Sequence, residues 1–268
     1  MNKFYCSPAV KPSKTGCFDR KSLINIANKY NEQSRDKIVY SSSSTDEQLW
    51  KLIDKKIQKH CNGGEICWLN NDFISNDKEL SKYHLPLKPD GQYKWLKTSD
   101  INYVLNQYED LYTDFTFMGS LPIDFDLVFR EIAMINICKI IGQGKTRIAF
   151  VFNLDKHNQK GSHWVCMYVD FYLKNICYYD SYGISPPKEI DALMNKLVKQ
   201  TLSCTGIKLD IKINKVRHQY KNSECGVYCL YFIYNFITGK SFEEISSKQI
   251  SDEEVNKWRD FFFRPHSI

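Results

Sequence analysis

The sequence has no apolar run long enough for a membrane-spanning helix, or for the core of a signal peptide near its N-terminus. Its longest apolar run, VYCLYFIYNFI at 227–237, is about half of the roughly 20 residues that a membrane helix needs, and it contains tyrosines and Asn235. We therefore expect a buried core helix here, and we expect neither export nor membrane insertion.

Paired Cys-x2-Cys motifs are also missing, although the chain has ten cysteines. In a long chain without an export signal, cysteines are expected as free thiols of a reducing compartment rather than as a disulfide framework. Cys166, Cys177 and Cys229 lie within apolar runs, so we expect them to be small buried core residues.

A metal-binding module is nevertheless one alternative. Candidate ligands cluster at two places: His60 and Cys61 with Cys67, and Cys225 with Cys229. The spacing is poor for zinc, because adjacent side chains such as His60 and Cys61 are badly placed to share one ion. We expect neither a bound metal nor another cofactor.

Long charged blocks and internal repeats are absent as well, which excludes a solenoid. The net charge is only +6 and the basic residues are scattered, whereas dedicated nucleic-acid-binding proteins usually gather them on one face. Nucleic-acid binding is therefore not required. The densest basic cluster, KINKVRH at 212–218, is either the end of a solvated strand or a polyanion site.

Hydrophobic residues make up 43% of the chain and aromatic residues 14%, enough for a substantial core. In the first part, apolar periodicity predicts helices at 18–31 and 49–61, the second preceded by a capping box of Thr45 and Gln48. The region 70–94 is rich in Asp, Asn, Lys, Pro and Gly, so a domain boundary is predicted close to its end.

This boundary, near residue 90, divides the chain into a helical N-terminal accessory arm, 1–90, and a second domain, 91–268. In the second domain, helices are predicted at 94–112, capped by Thr98 or Ser99, and at 188–203, and strands at 125–129, 147–154, 163–171, 175–180 and 206–214. These elements predict a mixed domain of strands and helices.

The segment RHQYKNSECGVYCLYFIYNFI at 217–237 is a polar loop that ends at Cys225 and Gly226 and then enters an apolar helix. The free N–H groups and positive dipole end of a helix N-terminus stabilise a thiolate, and Gly226 allows a substrate carbonyl to approach the backbone. Cys225 is therefore a candidate nucleophile. A Cys-Gly pair before a helix is equally compatible with a structural role, so this feature alone does not establish a site.

A strand hairpin supplies a base and its orienting carboxylate. His163 opens the run HWVCMYVDF and Asp180 closes the run NICYYD, so antiparallel pairing brings both residues to one end. Their separation suits two strands of about seven residues joined by a tight turn near 171–174. A carboxylate beside an imidazole fixes its tautomer and stabilises the imidazolium that forms when the ring takes a thiol proton.

Gln219, six residues before Cys225, lies in the loop that leads into the helix. Its side-chain amide could donate to a developing oxyanion together with the backbone N–H of Cys225. Each of His163, Asp180 and Gln219 would be assigned a structural role if it occurred alone. Their occurrence together with Cys225 favours a catalytic site.

The order His-Trp, then Asp, then Gln-x5-Cys-Gly at the start of an apolar helix resembles the ubiquitin-like-protein proteases and the adenoviral protease. The strings YYDSYGISPP at 178–187 and RHQYKNSECG at 217–226 resemble more closely the maturation proteases of large nucleocytoplasmic DNA viruses, such as that of African swine fever virus. The resemblance covers roughly 95–268. KWLKTSDIN at 94–102 resembles the WLND segment that opens the catalytic domain, with departures at Lys97 and Thr98.

This resemblance implies an α+β fold with a papain-like core, in which helices flank a mixed central sheet, plus a helical N-terminal arm. It implies that Cys225 is the nucleophile and His163 the general base, and that Asp180 and Gln219 are the third member and the oxyanion donor. Trp164 resembles a tryptophan that covers a narrow channel for small residues, which suggests cleavage after Gly-Gly. Trp164 and Gly226 are therefore the predicted substrate-binding residues.

The implied function is a thiol endopeptidase that cleaves viral structural polyproteins during virion maturation, in virions and at assembly sites in the host cytoplasm. A DNA or peptide activator, as in the adenoviral relative, stays open. Removal of ubiquitin-like modifiers is a second candidate function, and an acyltransferase or an inactive scaffold on the same fold is a third. The presence of competent residues at all four catalytic positions counts against a scaffold.

Overall fold

The structure is a computed structural model that describes residues 4–58, 63–91 and 93–266. The chain forms two compact units, one of Met1–Lys88 with Asp260–Ile268 and the other of Pro89–Arg259. The division between them falls close to residue 90. The C-terminal segment Asp260–Ile268, predicted as part of the second domain, groups with the first unit instead.

The first unit is helical. Its helices are α1 (Arg20–Gln33), α2 (Asp46–Ile57), α3 (Glu65–Trp68), α4 (Asp72–Ser75) and α5 (Lys78–Ser81). The predicted capping box precedes α2: the Gln48 N–H donates to Thr45 Oγ1 at 3.2 Å, and the Thr45 N–H donates to Gln48 Oε1 at 2.8 Å. The end predicted for this helix, at residue 61, lies outside the described residues.

A buried carboxylate organises the core of the first unit. Glu65 accepts hydrogen bonds from the Cys17 N–H at 2.6 Å and from Trp50 Nε1 at 3.0 Å, and its carboxylate lies 2.9 Å from His84 Nε2. Because a buried carboxylate without partners is costly, these bonds allow Glu65 to lie beside apolar residues such as Trp68.

Five strands among the described residues form one sheet in the second unit. In spatial order they are β1 (Phe115–Pro122), β2 (Arg147–Asn153), β3 (Trp164–Asp170), β4 (Asn175–Tyr179) and β5 (Asp210–Ile213). The pairs β1/β2 and β4/β5 are parallel, whereas β2/β3 and β3/β4 are antiparallel. The predicted α+β class with a mixed central sheet is confirmed.

Helices flank this sheet. They are α6 (Thr98–Leu111), α7 (Phe125–Val128), α8 (Arg130–Ala133), α9 (Ile137–Gly142), α10 (Lys188–Thr205), α11 (Cys225–Ile237), α12 (Phe242–Ser246) and α13 (Asp252–Lys257); α14 (Arg259–Phe262) follows at the unit boundary. Thr98 and Ser99 are helical residues rather than the predicted caps. The acceptor at this helix start is Asp100, whose carboxylate receives the Lys97 N–H at 2.7 Å.

Strand β3 is buried along its whole length because both faces of the sheet are covered. Side chains alternate along a strand, so Val165 and Met167 share one face and pack in a cluster with α10 residues such as Met194. On the other face Tyr168 stacks on Phe236 of α11, with ring centroids 4.8 Å apart. Among the described helices, none is both long and apolar enough to cross a membrane.

One strand predicted from the sequence is a helix in the structure, and one strand of the structure is not predicted. The run 125–129, predicted as a strand, forms helix α7; only Phe125 is buried, while Leu127 is 82% exposed, so the run lacks the second covered face of a buried strand. Strand β1 is not predicted at all. A register shift between Phe117 and Ser120 interrupts its alternation and hides the period of two.

The expectation of free thiols holds for only part of the cysteines. Disulfides join Cys6 to Cys17 and Cys138 to Cys204, whose Cα atoms lie 5.3 and 5.8 Å apart, within the range for a bridge. These pairings depend on the fold, so spacing along the chain does not reveal them. Cys166, Cys177 and Cys229 are free and buried, as predicted, and so is Cys225.

Candidate active site

The β3–β4 hairpin brings the predicted base and carboxylate together. His163 directly precedes β3 and Asp180 directly follows β4, and the two strands pair antiparallel through Cys166 and Tyr179. His163 Nε2 lies 2.7 Å from Asp180 Oδ1, and both side chains are buried. The short turn at 171–174 makes this pairing a local consequence of the sequence.

The backbone around Asp180 fixes the direction of its carboxylate. The Tyr182 N–H donates to Asp180 Oδ1 at 2.9 Å, so this oxygen is shared with His163. The Asp180 carbonyl accepts from Asn214 Nδ2 at 2.7 Å and from the Gly183 N–H at 2.9 Å. With these groups held, the imidazole of His163 has one orientation.

Cys225 is the first residue of α11 and is only 2% exposed. Because Asp180 engages Nε2 of His163, Nδ1 is the nitrogen left for a second partner. Burial lowers the pKa of His163, but the hydrogen bond to Asp180 and the interaction with the Cys225 side chain raise it by more, to about 9 from the usual 6.5. His163 therefore carries a positive charge beside the sulfur at neutral pH.

This charge arrangement suits a thiolate–imidazolium pair. A cation next to a cysteine at a helix N-terminus favours the thiolate, which is the nucleophilic form of the side chain. The folded state holds the His163 proton up to a pH of about 9, whereas the unfolded chain releases it near 6.5. The associated stabilisation is fully present below pH 6.5 and is lost as the pH rises through about 9.

The pH dependence of activity is expected to follow the protonation of His163. With a peptide substrate, kcat/KM should fall as the pH rises through about 9, because the pair loses its imidazolium proton there. Asp180→Asn removes a charge that raises the pKa of His163, so the descending limb should move to lower pH. Superimposable alkaline limbs in pH–rate profiles of the two proteins would show that Asp180 does not hold this proton.

Gln219 lies fully buried in the loop before α11. Its Oε1 accepts from Ser181 Oγ at 2.6 Å, and its Nε2 donates to the Lys221 carbonyl at 2.9 Å. An amide NH₂ group has two hydrogens, so this contact leaves one N–H for another acceptor. The side chain is thus held in place with a donor to spare.

Replacement of Gln219 should slow the reaction if that donor faces the oxyanion. Gln219→Ala is expected to lower kcat by about 10²- to 10³-fold, the usual loss for one oxyanion donor. Ser181→Ala is the matched control, since it removes the bond to Oε1 but leaves the amide donor, and it should cost much less. An unchanged kcat in Gln219→Ala would remove this residue from the site.

The two predicted substrate-binding residues both pack on Leu96. Trp164 is buried and its Nε1 donates to the Leu96 carbonyl at 2.9 Å. A Cβ added to Gly226 would lie 3.0 Å from the Leu96 Cβ, so this neighbour favours glycine at 226. Leu96 therefore lies against Gly226, and its carbonyl holds the Trp164 indole.

A buried polar cluster behind the nucleophile is not predicted from the sequence. Glu224 receives the Ser223 N–H at 2.8 Å and Asn256 Nδ2 at 3.0 Å. Arg259 donates to Asn256 Oδ1 at 2.8 Å, to the Lys94 carbonyl at 2.8 Å and to the Ser223 carbonyl at 3.1 Å. Arg259 thereby ties the segment before Leu96 to the loop before the nucleophile. The charged residue directly before Cys225 is the one sequence signal of this cluster.

A second cluster holds the loop that carries Gln219. The Asp252 carboxylate accepts the N–H groups of Tyr220 at 2.9 Å and Lys221 at 2.8 Å, and the Tyr228 hydroxyl lies 3.2 Å from its other oxygen. The Tyr228 hydroxyl oxygen also lies 3.1 Å from the His218 carbonyl oxygen. The start of α13 thus fixes the loop against α11.

The metal alternative receives no support at the residues that suggested it. His60 and Cys61 lie outside the described residues, and Cys225 opens the helix beside His163. Elsewhere, ligand atoms of Cys17, Glu65 and His84 lie within 4.8 Å of one another. In that group Cys17 is in a disulfide and Glu65 already accepts the N–H groups of Cys17, Phe18 and Trp50, so hydrogen bonding accounts for the arrangement.

Sequence comparison decides the family. A model of the Ulp1 protease family, C-terminal catalytic domain, matches residues 148–267, a range that contains His163, Asp180, Gln219 and Cys225. A thiol protease of Acanthamoeba polyphaga mimivirus is 32% identical over 270 residues, which cover 98% of this chain and 84% of that protein. The chain belongs to the Ulp1 protease family. As a member of the family it is a cysteine protease, and its substrates are proteins.

Comparison with African swine fever virus agrees with this assignment to the Ulp1 family. A cysteine protease of that virus is 24% identical over 249 residues, which cover 83% of this chain and 90% of the viral protein. The crystal structure of the African swine fever virus protease matches 97% of this chain and 96% of its own, with a TM-score of 0.70 at 21% sequence identity. This likeness shows a shared fold. The predicted resemblance to these proteases is confirmed.

Proposed function

We propose that this Ulp1-family protease is the maturation endopeptidase of a large DNA virus, which cleaves structural polyprotein precursors after Gly-Gly. One observation carries the proposal for the chemistry: a single imidazole, that of His163, interacts with both the Asp180 carboxylate and the Cys225 side chain. This is the arrangement that an activated thiol nucleophile requires.

In the proposed mechanism the Cys225 thiolate attacks the carbonyl carbon of the scissile bond. The negative charge moves to the carbonyl oxygen, where the backbone N–H of Cys225 and the side-chain amide of Gln219 would receive it. The His163 imidazolium then donates its proton to the leaving amine as the C–N bond breaks. A water molecule, deprotonated by His163, hydrolyses the resulting thioester and restores the thiol.

The space before the scissile bond favours small residues. Leu96 lies against Gly226, where a Cβ would already be 3.0 Å from the Leu96 Cβ, and the Leu96 carbonyl accepts the Trp164 indole N–H. A substrate that passes this point with glycines avoids contacts that larger side chains would make. We therefore propose Gly-Gly as the sequence before the cleaved bond.

The viral role draws support from the relatives. The related proteins come from a mimivirus and from African swine fever virus. Some of the African swine fever virus proteins are named SUMO-1 cysteine protease. We propose a place in virions and at assembly sites in the host cytoplasm. The helical N-terminal part, 1–90, would serve as an accessory arm, and 91–268 as the catalytic domain; the two compact units divide close to this boundary, between Lys88 and Pro89.

Incubation with the structural precursors of the source virus tests this proposal directly. New N-termini should follow Gly-Gly, and they should be absent with the Cys225→Ala variant. Cleavage of ubiquitin-like modifier conjugates without any effect on the precursors would assign the enzyme to deconjugation instead. Acyl transfer from acetyl-coenzyme A without peptide hydrolysis would contradict the endopeptidase activity.

A further inference from the structure

A column of stacked groups extends outward from His163. The Tyr182 ring stacks on the imidazole with centroids 4.5 Å apart and an interplanar angle of 19°. The Arg217 guanidinium lies over both the Tyr182 ring and the Tyr220 ring. Its Cζ is 5.4 Å from the Tyr182 centroid and 4.6 Å from the Tyr220 centroid. Arg217 and Tyr220 are both exposed, so the column begins at the candidate base and ends at solvent.

The backbone under Arg217 is fixed. The N–H groups of His218 and Gln219 both donate to the Ser181 carbonyl, at 2.8 and 2.9 Å, which ties the Arg217 loop to the loop after Asp180. Gly183 allows these loops to approach closely, because its φ is +72° and a Cβ there would lie 2.9 Å from the Lys215 carbonyl oxygen.

The guanidinium is held as well. Arg217 Nε donates to the Gln219 carbonyl at 2.9 Å, while the two aromatic rings restrict the plane of the group. Within residues 4–58, 63–91 and 93–266, neither terminal nitrogen of Arg217 has a hydrogen-bond or ion-pair partner. An exposed guanidinium that is fixed at Nε presents its terminal N–H groups in the geometry that a carboxylate accepts.

Nearby acidic groups of the chain are already committed. Asp252 accepts the backbone N–H groups of Tyr220 and Lys221, and Glu253 pairs with the Lys221 ammonium. An anion for Arg217 would therefore come from a bound molecule.

The role of His163 indicates which bound molecule would come near Arg217, namely the part of the substrate that follows the scissile bond. Because the base gives its proton to the leaving amine, the chain that follows the scissile bond departs beside His163. The Tyr182 ring connects His163 with Arg217, since its centroid lies 4.5 Å from the imidazole centroid and 5.4 Å from the Arg217 Cζ. The guanidinium is therefore no farther from the imidazole than these two distances added together. Three residues of extended chain span about 10 Å, so their side chains reach this distance.

We propose that Arg217, held between Tyr182 and Tyr220, is a specificity subsite for an acidic side chain within the first three residues after the scissile bond. The inference rests on the proposed endopeptidase function. It also assigns a role to one residue of the basic cluster 212–218, the cluster that the sequence left open between a solvated strand and a polyanion site.

Binding to a catalytically inert protein tests the subsite without turnover. Fluorescent peptides that span a Gly-Gly cleavage site would carry Asp or Asn at each of the three following positions, in complex with Cys225→Ala protein. At one position the acid should bind about 5- to 10-fold tighter than the amide, the range expected for a charge-assisted hydrogen bond at an exposed site. Added salt should reduce the preference.

Two further substitutions in the Cys225→Ala background separate a specific subsite from general charge. Arg217→Gln should abolish the preference for the acid, whereas Lys215→Gln, a loss of the same charge in the same loop, should keep it. Equal affinity for acid and amide at all three positions, or an equal loss in both variants, would overturn the proposal. So would an oligonucleotide that displaces the peptide and depends equally on Arg217 and Lys215, since this would assign the cluster to polyanion binding.

Hydrolysis of the same peptides by the unsubstituted enzyme separates the two proposals. If the acid preference depends on Arg217 but no peptide is cleaved, the subsite stands and the proposed endopeptidase function fails. If Gly-Gly peptides are cleaved with no difference between acid and amide, the function stands and the subsite fails.

Discussion

Cys225→Ala is expected to abolish peptide hydrolysis, with a fall in kcat of at least about 10⁴-fold. The reason is chemical: without the sulfur, no group at the start of α11 can form the thioester, and only binding and oxyanion contacts remain. The Cys225 side chain is also small, so alanine should leave the fold intact. Initial rates on a Gly-Gly peptide, with thermal unfolding as the check on folding, measure the effect.

Cys229→Ala is the matched control for this variant. Cys229 lies one turn further along α11 and is also free and buried. The Cys225 side chain raises the pKa of His163, whereas Cys229 is not among the groups that do so. Its replacement should leave kcat within a few-fold of the unsubstituted enzyme. Turnover that survives in Cys225→Ala, or that is lost equally in Cys229→Ala, would contradict the assignment of the nucleophile.

His163→Ala is expected to have the second-largest effect, a loss in kcat of about 10³-fold or more. The variant removes both the positive charge beside the Cys225 sulfur and the proton that the leaving amine needs. Asp180→Ala should be milder, since an imidazole without its carboxylate still transfers protons, although with a lower pKa and a less fixed orientation. Timed product measurements at several enzyme concentrations determine kcat over this range.

The chain offers a matched control for the histidine as well. His157 Nδ1 lies 2.7 Å from Asp124 Oδ2, which is the same distance as in the His163–Asp180 pair, but His157 is largely exposed. His157→Ala removes an imidazole–carboxylate pair elsewhere in the unit and should leave kcat nearly unchanged. A similar loss in the two variants would indicate that His163 acts through the fold rather than through the chemistry.

The parts of the site that are set by residues close together along the chain could be predicted from the sequence. The His163–Asp180 contact follows from two adjacent strands and one tight turn, and the position of Cys225 follows from the point where a polar loop meets an apolar run. Both are set by continuous apolar runs whose ends are marked by polar residues in the sequence. The His163 and Asp180 side chains lie together in the structure as the hairpin predicts.

Contacts between distant segments could not be predicted in this way. Arg259 reaches the Lys94 carbonyl from 165 residues away, and no local pattern marks it. Strand β1 is not predicted because its bulge breaks the alternation of buried and exposed residues. Helix α7 is predicted as a strand because a short apolar pattern does not reveal whether the segment is covered on both faces. The expected kind of protease came from the resemblance of whole motifs, which residue chemistry alone does not supply.

Activation of the Cys225 thiol by His163 is the step on which the proposed chemistry depends. Its most direct test is covalent labelling with a Gly-Gly peptide that ends in a vinyl ester, followed by intact-mass spectrometry and peptide mapping. One adduct per chain is expected, located on Cys225, absent in Cys225→Ala and formed far more slowly in His163→Ala. An adduct on another cysteine, or labelling of Cys225 at the same rate without His163, would contradict it.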